Sequence, residues 1–312
     1  MVMEQGVKFG VRVHQSGYSF EDLKAIFTQA DRLGYYSATL YDLLNIPTLE
    51  CWTTLSALAA VTERIRLTPM VLANLYRPPA LLAKMSATLD VISGGRLELG
   101  IGAGGGRTDH LASGIPFPST SQRVDMLEEA VELIKRLWAE DKVDFSGRYY
   151  RLKQASVQPA PVQKPHPPVI IGGHGETYLL RAVAKHADIC NIGSGMTLNE
   201  YRLKLEVLAQ HCQAVGRDFS QIQVSHNAGV LIAETSSDLE RRITQRAQAA
   251  NLRPEEFQEE LSRYIWGTPD QCYRQIKEYV QHGISYFFLI FPDPVRSQDL
   301  RLFAEEVMPR FQ

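Results

Sequence analysis

Short β-rich runs alternate with amphipathic helical runs at roughly 30 residues per pair, the mark of βα units assembled into a parallel sheet. Eight strands are predicted, at Val7–Val13, Ser37–Leu44, Ile65–Leu72, Leu97–Ala103, Val169–Gly172, Asp188–Ile192, Ile222–Ala233 and Ser285–Phe291. Several are near-continuous apolar runs, as expected when both faces of a parallel strand are covered. The helices between them carry their own signals. Phe20, Leu23, Phe27, Ala30 and Leu33 keep helical spacing behind the capping box Ser19-Phe20-Glu21-Asp22, and Gly34 follows as a stop. Val124, Leu127, Val131, Ile134 and Trp138 repeat the pattern in the longest helix. Pro78-Pro79 opens another helix, whose stripe of Leu81, Met85, Leu89 and Ile92 ends at Gly94-Gly95.

Eight parallel strands with helices outside make an α/β chain of the (β/α)8 TIM-barrel class. The competing architecture, an open doubly wound sheet, should carry a GxGxxG turn after its first strand. That turn reads His14-Gln15-Ser16-Gly17-Tyr18 instead. Three connections exceed ordinary loop lengths and are expected as insertions: Gly104–Thr120 after the fourth strand, Asp141–Pro168 before the fifth, and Pro254–Trp266 after the seventh. The run from Gln158 to Pro168 is Pro-rich, but a strand follows it at once, so it reads as a stiff connector within a single domain spanning residues 1–312.

A net charge of −2 and a hydrophobic fraction of 45% argue against a nucleic-acid partner and for small-molecule chemistry. No apolar run approaches the ~20 residues that span a bilayer. The start Met1-Val2-Met3-Glu4-Gln5-Gly6 has neither the charged nor the apolar region of a leader, so a soluble cytoplasmic protein is expected. Cys51, Cys190, Cys212 and Cys272 form no CxxC pair, which argues against a disulfide framework or a structural zinc site. His186 and Cys190 straddle a helix end, and no metal site is expected there.

Barrel chemistry sits at the C-terminal ends of the strands. The second strand ends Tyr41-Asp42-Leu43-Leu44, the fourth Gly100-Ile101-Gly102-Ala103-Gly104-Gly105-Gly106, and the fifth Ile171-Gly172-Gly173-His174-Gly175-Glu176. The Gly172–Gly175 turn precedes the helical run Thr177–Lys185, an arrangement that suits a phosphate or is an ordinary tight turn. The glycines after the fourth strand suit close backbone approach to a flat ligand.

Three consecutive blocks carry a family resemblance: Arg64-Ile65-Arg66-Leu67-Thr68-Pro69-Met70-Val71, Tyr76-Arg77-Pro78-Pro79-Ala80-Leu81-Leu82-Ala83-Lys84-Met85, and Thr88-Leu89-Asp90-Val91-Ile92-Ser93-Gly94-Gly95-Arg96-Leu97-Glu98-Leu99-Gly100. Gly114-Ile115-Pro116-Phe117-Pro118, Gly147-Arg148-Tyr149-Tyr150 and the Gly172-Gly173 turn with Ala187-Asp188 extend it. Together they resemble the bacterial luciferase-like group, and within it the branch that uses the deazaflavin coenzyme F420. The resemblance implies a barrel whose mouth holds the ring, with its phosphate end near Gly172, Gly173, His174 and Gly175. It implies hydride transfer between F420 and a small organic substrate, in a homodimer. Asp42, Pro69, Met70, Leu72, Gly102, Gly104, Gly105 and Thr108 are the further residues expected at the cofactor. A bulge with a non-prolyl cis peptide is expected at Pro69–Met70. Deazaflavin members usually end the second strand Asp-His, so Leu43 stands where an imidazole is expected. His110, within the pair Asp109-His110, and His14, which follows the first strand, are the candidates for its role beside Asp42. The alternatives are a monooxygenase using FMN in the same mouth, or a barrel that binds without turnover.

Overall fold

The computed structural model describes residues 6–312; Met1–Gln5, on which the leader expectation rests, lie outside the described residues. Twelve strands are described: β1 Lys8–Arg12, β2 Ser37–Leu40, β3 Arg66–Pro69, β4 Leu72–Ala73, β5 Leu99–Gly102, β6 Val143–Ser146, β7 Arg151–Ala155, β8 Val169–Gly172, β9 Ile189–Ser194, β10 Gln223–Ile232, β11 Tyr264–Gly267 and β12 Ile284–Ile290. The helices are α1 Phe20–Arg32, α2 Cys51–Ala59, α3 Pro79–Ile92, α4 Arg107–Ala112, α5 Thr120–Ala139, α6 Leu179–His186, α7 Leu198–Ala214, α8 Ser236–Ala249, α9 Pro254–Glu260, α10 Pro269–Gln281 and α11 Ser297–Glu306.

Nine strands pair side by side in the order β3-β2-β1-β12-β10-β9-β8-β5-β4, and β11 joins the far end of β10. Every pairing within this sheet is parallel. β3 and β4 are two halves of one predicted strand, Ile65–Leu72. Counted as one they restore the eight strands of a (β/α)8 barrel, which closes through a bridge between Leu67 and Leu97.

The break between β3 and β4 corrects the sequence expectation in two ways. Pro69 ends β3 rather than sitting inside a continuous strand, and the non-prolyl cis peptide is Met70–Val71, one bond beyond the expected Pro69–Met70. The bulged backbone enters the barrel where side chains would otherwise be. A Cβ on Gly100 would overlap the Pro69 carbonyl oxygen, one on Gly102 would lie 2.9 Å from Val71 Cγ2, and one on Gly172 2.8 Å from Val71 Cγ1. Those glycines give the bulge its room.

The lower barrel is filled by a polar layer. Glu98, fully buried, accepts hydrogen bonds from the Thr68 and Tyr286 hydroxyls, both at 2.9 Å, and lies 3.4 Å from Arg66 Nε. Met70, Ile170, Ile189, Tyr286 and Phe288 form the apolar packing inside the ring, while the larger core lies between the sheet and its surrounding helices. α1 carries the capping box anticipated at Ser19 and Asp22, and α3 opens at Pro79. Cys51, Cys190, Cys212 and Cys272 are free and buried. No helix among the described residues is long and apolar enough to cross a membrane.

All three long connections contain elements that their composition hides. The segment after β5 folds into α4; Asp141–Pro168 contains the antiparallel hairpin β6-β7; Pro254–Trp266 contains α9 and most of β11. Glu129 of α5 anchors the hairpin by accepting from the backbone N–H groups of Arg148, Tyr149 and Tyr150.

His226 of β10 is 1% exposed, stacked on Tyr279 at 4.7 Å between ring centroids, and its Nδ1 has no partner. Burial pushes its pKa down to about 4. The unfolded chain therefore takes up this proton near pH 6.5 while the folded one refuses it until about pH 4, so stability is lost as pH falls through that window. On this basis His226 removes on the order of 3 kcal/mol across it. Urea denaturation at pH 7 and pH 4.5 measures the loss, and His226→Phe should flatten the dependence.

Candidate functional site

The largest cleft opens at the C-terminal ends of β2, β4, β5 and β8, with a volume of about 760 Å³. A second cavity of about 470 Å³ lies over the ends of β1, β9 and β10. Met70, Val71, Gly172, Gly173 and His174 line both, so the bulge and the turn after β8 form their common boundary.

Most of the glycine positions singled out in the sequence come together here. Gly102, Gly104, Gly105, Gly172, Gly173 and Gly175 line the larger cleft, with Met70 and Leu72 beside them. Gly104 adopts φ +81° and Gly173 φ +140°, left-handed conformations that suit glycine. The backbone thus forms much of the wall. α6 begins at Leu179, two residues later than the helical run read from the sequence, and its amino end has no side-chain cap. Thr177, Tyr178 and Leu179 at that end also line the cleft. Pro69 and Thr108 do not line either cavity; Pro69 contributes through its carbonyl, turned toward Gly100.

Asp42 lines the cleft but is already engaged. β2 stops at Leu40, and the following loop delivers Asp42 to Arg77, which donates to both carboxylate oxygens at 2.9 Å. Asp42 Oδ2 also accepts from the backbone N–H of Ala73 in β4, at 2.9 Å. Arg77 reaches Glu50 as well, at 2.6 Å, while Glu50 caps the amino end of α2 through the N–H groups of Trp52 and Thr53. Burial disfavours the Arg77 charge, but its hydrogen bonds and attraction to Asp42, then to Glu50, outweigh that and hold its pKa above the ordinary range. Glu50 is likewise held below the usual carboxylate range: burial alone would raise it, and the N–H donors and Arg77 reverse the sign.

The two candidate imidazoles stand elsewhere. His110 lies on α4, fully buried between the rings of Tyr76 and Phe117 at 4.7 and 4.8 Å. Its Nδ1 is 3.1 Å from the Gly106 carbonyl oxygen, and Nε2 is buried without a partner, 3.1 Å from where a Cβ on Gly104 would sit. It backs the glycine wall and does not line the cleft, whereas its neighbour Asp109 does. His14 packs edge-on against Tyr41 at 5.0 Å, outside both cavities. The histidine that reaches the cavities is His174.

Reading strand ends alone missed Arg12, Asn191 and Asn227, which line the smaller cavity. Their signal is present in the sequence. Lys8, Gly10 and Arg12 alternate with Val7, Phe9, Val11 and Val13, and the asparagines interrupt apolar strands. Asn227 Nδ2 donates to Asn191 Oδ1 at 2.8 Å, and Asn191 Nδ2 donates to Ser225 Oγ at 2.9 Å. Arg77 was visible only as part of a block, because its partner lies 35 residues away.

A parallel barrel with its polar and glycine-lined cavities gathered at the C-terminal ends of the strands defines the TIM-barrel enzyme class. Residues 3–286 match the luciferase-like monooxygenase family, and the chain belongs to it. A relative 31% identical over 98% of this chain and 97% of its own length is the F420-dependent glucose-6-phosphate dehydrogenase of Kineococcus radiotolerans. Among solved structures, the coenzyme F420-dependent tetrahydromethanopterin reductase of Methanopyrus kandleri superimposes with a TM-score of 0.82, at 20% identity over 98% of this chain and all of its own. The oxygenating constituent of 3,6-diketocamphane monooxygenase from Pseudomonas putida, solved with FMN, gives 0.79 at 21% identity, covering 98% and 99%. The two structures show the shared fold.

Removing the Asp42 carboxylate would leave Arg77 without its main partner and release the β4 N–H. Asp42→Ala should cost about 3 kcal/mol of stability in cofactor-free protein. Urea denaturation of the two apo proteins measures it.

Proposed function

We propose that this chain is an F420-dependent oxidoreductase that moves a hydride between the deazaflavin and a small organic substrate. The observation that carries the reading is a backbone-lined cleft over the Met70–Val71 bulge, in a chain that aligns end to end with an F420-dependent dehydrogenase. The residues present fit such a group. Val71 fills the space that Cβ atoms on Gly102 and Gly172 would take, which leaves a wall of backbone and small side chains for a flat ring. Met70, Val71, Leu72, Gly102, Gly104 and Gly105 would bound the ring. Gly172, Gly173, His174, Gly175 and the uncapped start of α6 would hold its anionic arm through N–H groups and the helix dipole. When bound, the cofactor supplies a two-electron hydride acceptor or donor; the chain's own part is to bind, orient and manage the proton.

Asp42 serves this by fixing the loop after β2 to β4 rather than by exchanging a proton, since Arg77 and Ala73 occupy its oxygens. His110 supports the Gly104 turn from behind. The proton role falls to His174, which faces both the ring cleft and the smaller cavity where a substrate would lie. The chain is read as a single domain, acting as a cytoplasmic homodimer without a nucleic-acid partner, in keeping with its net charge of −2.

Equilibrium fluorescence titration should show tighter binding of F420 than of FMN; tight FMN binding with no F420 affinity would overturn the assignment. Once a substrate is in hand, His174→Ala should lower kcat by about 10²-fold or more. If His110→Ala or His14→Ala, still folded by circular dichroism, loses as much while His174→Ala does not, the proton role belongs to that residue.

A further inference from the structure

Arg12 is the last residue of β1 and lines the smaller cavity together with Asn191, Asn227 and His174. Its guanidinium lies over the ring of Tyr41, 4.4 Å from the centroid, which engages one face of the plane and leaves the N–H edge free. Nε is buried and has no hydrogen-bond partner among the described residues. No carboxylate lines this cavity among the described residues. Arg12 forms no ion pair among the described residues, and Asp293, the acid that shares the surroundings of Tyr41 with it, accepts from the Tyr18 hydroxyl at 2.8 Å. The two asparagines face each other and satisfy one another.

An arginine remains protonated even when burial lowers its pKa, as it does here. A charge held in a largely desolvated site without a counter-ion costs free energy unless a ligand supplies the partner. The guanidinium offers a planar fork that matches a carboxylate bidentately. Its place is informative as well. The cavity shares Met70, Val71 and His174 with the cleft assigned to the ring, so a group bound to Arg12 would lie just across the bulge from it. At about 470 Å³ the cavity suits a compact substrate.

We propose that Arg12 is the specificity-determining residue of this barrel, and that the substrate is a small organic acid whose carboxylate pairs with it in the smaller cavity. The inference rests on the oxidoreductase reading above and adds the substrate class to it. The carboxylate replaces the missing counter-ion of Arg12, and Asn191 and Asn227 form the polar wall next to it. A neutral isostere leaves the guanidinium unpaired and binds weakly.

The test uses benzoate, its neutral isostere benzamide, and phenyl phosphate as probes, titrated calorimetrically into F420-loaded wild-type protein and into Arg12→Gln and Arg12→Lys. Benzoate should bind at least tenfold more tightly than benzamide. Arg12→Gln should weaken benzoate at least tenfold and leave benzamide unchanged, and Arg12→Lys should recover part of the loss. Thermal melting confirms that the variants are folded. Equal binding of benzoate and benzamide, undiminished benzoate binding in Arg12→Gln, or no benzoate binding to wild type would overturn the proposal. Tighter binding of phenyl phosphate than of benzoate would overturn the carboxylate assignment. Cofactor affinity is measured in the same preparations. Loss of F420 binding in Arg12→Gln, with benzoate affinity intact in the cofactor-free protein, would assign Arg12 to the cofactor and also overturn it. Failure of wild-type protein to bind F420, with benzoate binding still dependent on Arg12, would defeat the oxidoreductase reading and leave the Arg12 site standing.

Discussion

The site depends on one packing constraint: the backbone of Pro69-Met70-Val71 occupies space that the side chains of β5 and β8 leave empty. Gly100 accommodates the Pro69 carbonyl, and Gly102 and Gly172 accommodate the two methyl groups of Val71. A residue with a Cβ at any of these positions would push the bulge out of the mouth or force the strands apart, and tightly packed interiors yield little to such displacement. The bulge in turn separates the two cavities and lines both. Both cavities are therefore consequences of the same three absences.

Beneath the bulge a buried carboxylate sits beside the apolar packing of the ring, and its contacts link strands across the interior. Glu98 is enclosed with Thr68, Tyr286 and Arg66 around it, and the Tyr286 hydroxyl also reaches Ser37 Oγ at 2.5 Å. These contacts tie β2, β3, β5 and β12 across the barrel interior. A buried carboxylate tolerates few alternative arrangements because each would leave it without donors. Lys8 closes the bottom, lying 4.7 Å from the Tyr36 ring and donating to Gln223 at 2.9 Å.

The fold was legible because its signals are local and periodic. All eight predicted barrel strands are present, though Ile65–Leu72 is interrupted. Pro69 announced the interruption, since it lacks an N–H for the ladder. Its partners could not be read, because Gly100, Gly102 and Gly172 meet the bulge only after the barrel closes. The cis bond was placed by resemblance and missed by one residue. Asp42 lies in the loop after β2 and lines the cleft, but its ion pair with Arg77, across 35 residues, leaves no mark in local sequence. His110 was expected on a loop; α4 turns it inward between two aromatic rings. Arg12 is legible in the strict alternation along β1, a signal that lies within the strand rather than in the loop after it.

Arg77 is held by Asp42 from the loop after β2 and by Glu50 at the head of α2, and it stands just before α3. One side chain thus works as a keystone between two successive βα connections, so displacing either one disturbs the ion pair of the other. Across the mouth, Arg12 forms no ion pair among the described residues, and Asn191 and Asn227 are held by hydrogen bonds to each other and to Ser225. One half of the mouth is held by a shared charge network, the other by neutral amides that pair with each other.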